Sequence, residues 1–329
     1  DQGLAVGLDI GTSRIVVARR EGEGTEVRSQ LNAFVNVPYT RMTENALRKQ
    51  GIPFEHRDSE LVVYGDESVR FADLLGLESR RPMTAGIVNP AEPAGAQVIR
   101  NLVDLLLDDA KGQDSLVYFS VPALPLGERE DRTYHNATIR EILKKKGYRA
   151  ESIDEGLAVV YSELEDSNYT GIGISCGGGL CNICLAYLSV PILSFSIPKA
   201  GDFIDSSAAG VTGDRAIRIR LEKESSFQFN GDYSNKLQQA IGVYYDDMIQ
   251  AIVTAMKDAF NAPNNLPKLD RPVPLVLSGG TAMPKGFGVR FEKALRATAL
   301  PVPVAEIRLA ADPLQSTAKG ALVAAMTEF

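Results

Sequence analysis

Three glycine-bearing stretches carry the residue types that could hold a phosphorylated ligand. The first is GLDIGTSRIVV, Gly7 to Val17, where an apolar run meets Asp9 and a turn of Gly11, Thr12 and Ser13 before a second apolar run. Small residues and backbone N–H groups at a tight turn suit a phosphate, because nothing bulky blocks close approach. The second is SCGGGLCN, Ser175 to Asn182, whose Gly177, Gly178 and Gly179 leave bare N–H groups between two strand-like runs. The third is LVLSGGTAMPKGF, Leu275 to Phe287, where Gly279 and Gly280 follow a buried strand and precede Thr281 and Met283. Glycines at the C-terminal end of a strand let a flat base or a ribose lie against the backbone. Any one of these is also an ordinary hairpin or strand–helix turn. Three of them in this order are far more specific.

The surrounding pattern tells which elements must carry these turns. Strand-like runs fall at 4–10, 14–20 and 61–64, and SLVYFSVPA holds a buried strand ending at Pro122. Apolar Val98, Leu102, Leu105 and Leu106 define one face of a helix over about 94–109. TYHNATIREILKKKG reads as a helix with lysines at its negative pole and Gly147 as C-cap. From Thr170 the pattern restarts with two hairpin strands, a third strand, a long helix over 233–261, a strand before Gly279 and a helix after Pro284. A closing helix is expected from Asp312-Pro313, since proline suits the first helical turn. A glycine-rich hairpin therefore opens each half. Such an echo implies two α/β domains with a cleft between them, and clefts between domains are the usual ligand sites.

Composition narrows the partners. The 329 residues give two domains or one large α/β unit, and 44% hydrophobic content supports an ordinary core. A formal net charge of −7 argues against general nucleic-acid binding. No apolar run reaches a membrane span and no signal peptide opens the sequence, so a cytoplasmic location is expected. Cys176, Cys181 and Cys184 crowd into one segment. With His56 and His135 as the sole histidines, a four-ligand zinc site lacks donors, and the odd count suits no disulfide framework.

Together these residues resemble the actin-like ATPases, and among them the bacterial filament formers MreB and MamK. Asp9-Ile10-Gly11-Thr12-Ser13 resembles the first phosphate loop of that family, and SCGGGLCNICL resembles the second. LVLSGGTAMPKGF resembles the adenosine loop, RPMTAGIVNP the crossing segment and DPLQSTAKGALVAA the closing helix. The resemblance runs from about residue 4 to the end. It implies an α/β, ribonuclease-H-like duplicated fold with two domains, 1–160 and 161–329, flanking a nucleotide cleft. Small outer subdomains are expected at 33–73 and, reduced in size, at 211–238. The implied ligands are ATP or ADP with Mg2+, the cation supported by Asp9. Lys223 and Glu224 fall where the family directs a lysine–glutamate pair to the ribose and adenine.

Departures from the family pattern bear on chemistry. Ser175 stands where the second loop normally begins with an aspartate, and Leu180 and Cys181 stand where threonines follow the glycines. Counting back from Gly147 places His135 where the family sets its water-orienting glutamate, with Glu128 and Glu130 nearby but early. Phosphoryl transfer needs a phosphate cradle, a cation and a group that positions water. The cradle is backbone and survives substitution, whereas one carboxylate in place of two weakens cation binding. Nucleotide binding with weak or absent hydrolysis follows, with His135 and Asp9 as the candidate catalytic pair.

The same resemblance implies self-association, because head-to-tail contacts between identical subunits give open filaments. A membrane or accessory protein partner stays open. Three rivals share the scaffold: a non-polymerising adaptor, a chaperone-type ATPase and a sugar kinase. The chaperone class usually adds a substrate-binding domain after this fold. A kinase needs a cleft carboxylate as base and a second substrate pocket, and nothing in the sequence marks one.

Overall fold

The structure, a computed structural model, describes residues 4–110, 114–126, 132–233, 235–262, 266, 269 and 271–329. β1 (Ala5–Ile10) and β2 (Arg14–Glu21) form the first hairpin, closed by Gly11 N donating to Arg14 O at 2.9 Å. The hairpin is apolar on both faces because both are covered. Leu8, Ile15 and Val17 join one core cluster, while Val16 and Ala18 join another. β3 (Gly24–Leu31) extends the antiparallel meander.

An outer unit follows: β4 (Phe34–Pro38), α1 (Arg41–Lys49), β5 (Phe54–Arg57), β6 (Glu60–Tyr64) and α2 (Asp66–Leu75). Its three strands pair in the order β4-β6-β5 around a core of Val35, Val37, Leu47, Leu61 and Val63. Thr40 caps α1 by accepting from Thr43 N, and left-handed Gly76 ends α2. This unit runs from Phe34 to Leu75.

The chain then makes the short pair β7 (Met83–Thr84) and β8 (Ile87–Val88), then α3 (Gly95–Leu106). α3 buries Val98, Ile99, Leu102, Val103 and Leu106 but ends three residues before the expected 109, because Leu107 turns extended. β9 (Leu116–Val121) returns parallel to β1, and α4 (Thr133–Lys145) ends before Gly147 at φ +87°. β10 (Arg149–Asp154) pairs parallel with β9 and runs directly into α5 (Glu155–Glu163).

The second half repeats the plan. β11 (Gly171–Cys176), β12 (Cys181–Tyr187) and β13 (Val190–Ile197) make the meander. α6 (Gly201–Thr212), α7 (Ala216–Ser225) and α8 (Lys236–Asn261) follow, then β14 (Val273–Ser278), α9 (Phe287–Arg296), β15 (Val304–Leu309) and α10 (Ser316–Met326). The first sheet is ordered β10-β9-β1-β2-β3 and the second β15-β14-β11-β12-β13. In each, three antiparallel strands continue into two parallel ones. Where the first half has its outer unit of strands, the second has α7 between α6 and α8 among the described residues.

α10 starts later than Asp312-Pro313 for a local reason. The Pro313 carbonyl accepts from Gly279 N at 3.0 Å and from Ser278 Oγ at 3.1 Å, so it serves the third turn. α10 packs against α5, β1 and β9, while α5 packs against β11 and β12. The last helix thus covers the first sheet. A seam joins the halves where the chain leaves β9: Asn182 Oδ1 accepts from Ala123 N at 2.8 Å, and Ser196 exchanges bonds with Leu124 and Leu126. Among the described residues no helix is long and apolar enough to cross a membrane.

Candidate functional site

The three turns converge on one cavity of about 520 Å³ whose walls come from both halves. The β1–β2 turn supplies Gly11, Thr12 and Ser13, the β11–β12 turn Gly177, Gly178 and Gly179, and the turn after β14 Gly279, Gly280, Thr281 and Met283. The first two turns touch. A Cβ on Gly178 would stand 2.3 Å from Ser13 Oγ, and one on Gly179 would stand 2.6 Å from Thr12 Oγ1. Glycine is needed at both positions by this approach. The third turn is pinned to the second by Thr281 Oγ1, which donates to Gly177 O at 2.7 Å.

At the facing turns two half-buried carboxylates meet. Asp9 sits at the C-terminal end of β1 and accepts from Ser120 Oγ at 2.7 Å. Burial raises its carboxyl well above the usual range, and the Ser120 bond pulls the other way. Glu155 opens α5, and its Oε2 accepts from Ser175 Oγ at 3.2 Å and from Asn182 Nδ2 at 3.0 Å. Burial first, and the Asp9 charge second, push Glu155 upward as well. Two neighbouring carboxylates whose proton affinity is raised, Glu155 partly by the Asp9 charge, are a donor set that suits a divalent cation, which favours their ionised forms. Among the described residues no cluster of three or more His, Cys, Asp or Glu forms a cage, so phosphate oxygens and water would complete the shell.

Sequence reasoning placed the second carboxylate differently. It expected Asp9 alone, with His135 nearby. His135 lies in α4, buried, with Nδ1 accepting from Val88 N at 3.2 Å. It is not among the residues that line the cavity. Burial holds it neutral at about 4, with Arg132 adding to the effect. The site carboxylate is Glu155, whose signal was its place at the end of a strand and the start of a helix between the halves. Glu128 and Glu130 lie outside the described residues. The other candidate positions all line the cavity: Asp9, Gly11, Thr12, Ser13, Ser175, Gly177, Gly178, Gly179, Lys223, Glu224, Gly279, Gly280, Thr281 and Met283.

The far wall is built by α7. Lys223 is buried, with Nζ 2.6 Å from Asp205 Oδ1 and donating to Gly201 O at 3.0 Å. It is therefore engaged by protein groups, while Glu224 lines the cavity beside Phe227. Phe227 stacks on Tyr245 with ring centroids 5.4 Å apart, and Tyr245 Oη donates to Thr281 O at 3.0 Å. This gives the wall an apolar backing suited to a flat ring. The cysteines are buried free thiols; Cys176 and Cys181 pair across the base of the second turn and belong to the core.

Comparison with known proteins agrees with this geometry. No curated protein sequence matches the chain. Among solved structures, a MamK double helical filament is similar with a TM-score of 0.73 at 18% identity, covering 99% of each chain. MreB5 of Spiroplasma citri bound to AMPPNP is similar with a TM-score of 0.69 at 13% identity, covering 100% of this chain and 97% of that one. The ethanolamine utilization protein EutJ from Carboxydothermus hydrogenoformans gives 0.58 at 18% identity, covering 98% of this chain and 90% of that one. These likenesses show an actin-like fold. In sequence, residues 4–325 match the Volactin family. The match spans nearly the whole chain, and the protein belongs to the Volactin family.

Proposed function

We propose that this chain is an actin-like cytoskeletal protein that binds ATP or ADP with Mg2+ between residues 1–160 and 161–329, and polymerises into filaments. One observation carries the reading: three glycine turns and two half-buried carboxylates, drawn from both halves, line a single cavity. Gly11 to Ser13 and Gly177 to Gly179 would cradle phosphates from opposite sides. Asp9 and Glu155 would hold the cation, which spreads phosphate charge. Glu224, Met283 and the Phe227 wall would receive the ribose and base. The filament similarity of MamK supports self-assembly.

Hydrolysis is proposed to be slow. With Asp9 and Glu155 engaged by the cation and His135 outside the cavity, the water-positioning group expected from the family is missing from the site among the described residues. Ser175 and Asn182 donate to Glu155 but bring no charge. Pelleting with and without ATP and Mg2+, followed by electron microscopy, tests the reading. Filaments that require nucleotide are expected, with turnover far below that of ordinary ATPases. Nucleotide binding with no pellet under any condition would favour an adaptor, and sugar-dependent loss of ATP a kinase.

A further inference from the structure

Beside the facing turns runs an unbroken ladder of ion pairs. Arg81, just ahead of β7, places Nη2 2.9 Å from Asp202 Oδ2 at the start of α6. The other oxygen of Asp202 accepts from Arg220 Nη2 at 3.0 Å, and Arg220 Nε donates to Asp205 Oδ2 at 3.0 Å. Asp205 Oδ1 then meets Lys223 Nζ at 2.6 Å, an ionic contact without the alignment of a hydrogen bond. The ladder so passes from the first half, through α6, to the helix that forms the far wall of the cavity.

Its rungs are unequal. The Asp205 and Lys223 side chains are 2% and 6% exposed, whereas Arg81 and Asp202 are 24% and 31% exposed. Parting a buried pair strands charge away from water and is strongly disfavoured. Parting a half-exposed pair lets water replace the lost partner. Arg220–Asp202 is as exposed, at 25% and 31%, but Arg220 is also anchored to buried Asp205, so the rung that gives way first is Arg81–Asp202, the one that spans the halves. It also stands against the phosphate turns. Arg81 Nη1 donates to Ser13 Oγ at 3.3 Å, and Asp202 N donates to Gly178 O at 2.7 Å. A Cβ on Gly178 would lie 3.6 Å from both Arg81 Nη1 and Asp202 Oδ1.

We propose that Arg81–Asp202 is a latch that holds the halves together without ligand, and that its opening sets how fast a nucleotide enters and leaves. The second part rests on the nucleotide reading above; the first does not. Arg81 acts through Asp202 as a positioning residue. The remaining contacts of Asp202, to Arg220 and the second turn, transmit its position to the cavity wall.

The test uses the full chain carrying spin labels at Leu74→Cys and Val289→Cys, both strongly exposed and one in each half. The native thiols are buried and take up no label. Pulsed electron resonance on ligand-free protein should give a narrow distance distribution that widens in Arg81→Gln and stays narrow in Arg81→Lys. Raising the salt concentration should widen the distribution of the parent protein and leave Arg81→Gln unchanged. Release of a fluorescent ADP should quicken about fivefold in Arg81→Gln, the factor expected of one half-exposed ion pair, and stay near the parent rate in Arg81→Lys. An Arg81→Gln distribution identical to the parent, with salt without effect on either, overturns the latch, as does faster release with no change in distance. Wider distances in a protein that binds no nucleotide sustain the latch and defeat the nucleotide reading.

Discussion

β1 and β11 hold the same place in their sheets, with a glycine at the same step and a different residue two steps later. Gly7 and Gly173 both lie under a helix. A Cβ at Gly7 would stand 2.0 Å from Ala318 O in α10, and one at Gly173 2.3 Å from Gly156 O in α5. Two steps on come Asp9 and Ser175. The packing demand is duplicated and the chemistry is not. Neither glycine can be exchanged without moving backbone, so each half keeps its own. The carboxylate is free to relocate, and the second one arrives on Glu155, from the helix between the sheets. Ser175 fits that arrangement by donating to Glu155, where an aspartate would set a third carboxylate beside two others.

The comparison can be broken most severely at the glycines. Gly7→Val and Gly173→Val should each cost upwards of about 3 kcal/mol, because the obstructing atoms are backbone. Urea unfolding followed by circular dichroism should show a loss of similar size for both, and a large inequality would mean that the halves are not equivalent in packing.

Acid should separate the halves by a different route. His135 belongs to the first half, and burial holds it at about 4, below its ordinary 6.5. The unfolded chain takes its proton near 6.5, while the native one resists until about 4. The stability tied to this group is therefore present above pH 6.5 and lost progressively as pH falls toward 4, to about 3 kcal/mol in all. Hydrogen exchange should show protection in α4 and β9 fading across that window ahead of β11 and β14. His135→Phe should abolish the difference.

The smallest effects come from swapping the two steps that differ. Asp9→Ser, which makes β1 like β11, should stabilise the ligand-free protein by about 1–2 kcal/mol by removing a half-buried, poorly compensated charge. It should also abolish any Mg2+-dependent nucleotide affinity, read by calorimetry. Ser175→Asp, which makes β11 like β1, should destabilise the ligand-free protein by a similar amount and recover it on adding Mg2+. Equal melting temperatures with and without the cation would speak against a metal at this pair.

The two glycine hairpins, the main helices and the three turns were legible in the sequence because each rests on local signals: apolar alternation, glycine runs and helix periodicity. The expectation of an outer unit at 33–73 came from the family resemblance and not from a local pattern. Glu155 was missed because it comes next to Asp9 only when α5 crosses between sheets, and no local pattern records a crossing. His135 was misplaced by counting along a helix, which gives a position but not the face that is buried. Lys223 was found on the correct wall, yet its ion pair with Asp205 depends on how α7 lies on α6, which spacing alone does not reveal.

The tucking of α10 onto β1 also bears on how the chain is made. A ribosome delivers Val16 and Ala18 early, whereas their packing partners Ala318 and Leu322 come only with α10. Until then one side of the nascent N-terminal sheet has nothing of its own to lean on. Maturation of this part must wait until α10 has been made, and a holding chaperone would find its natural client in that interval.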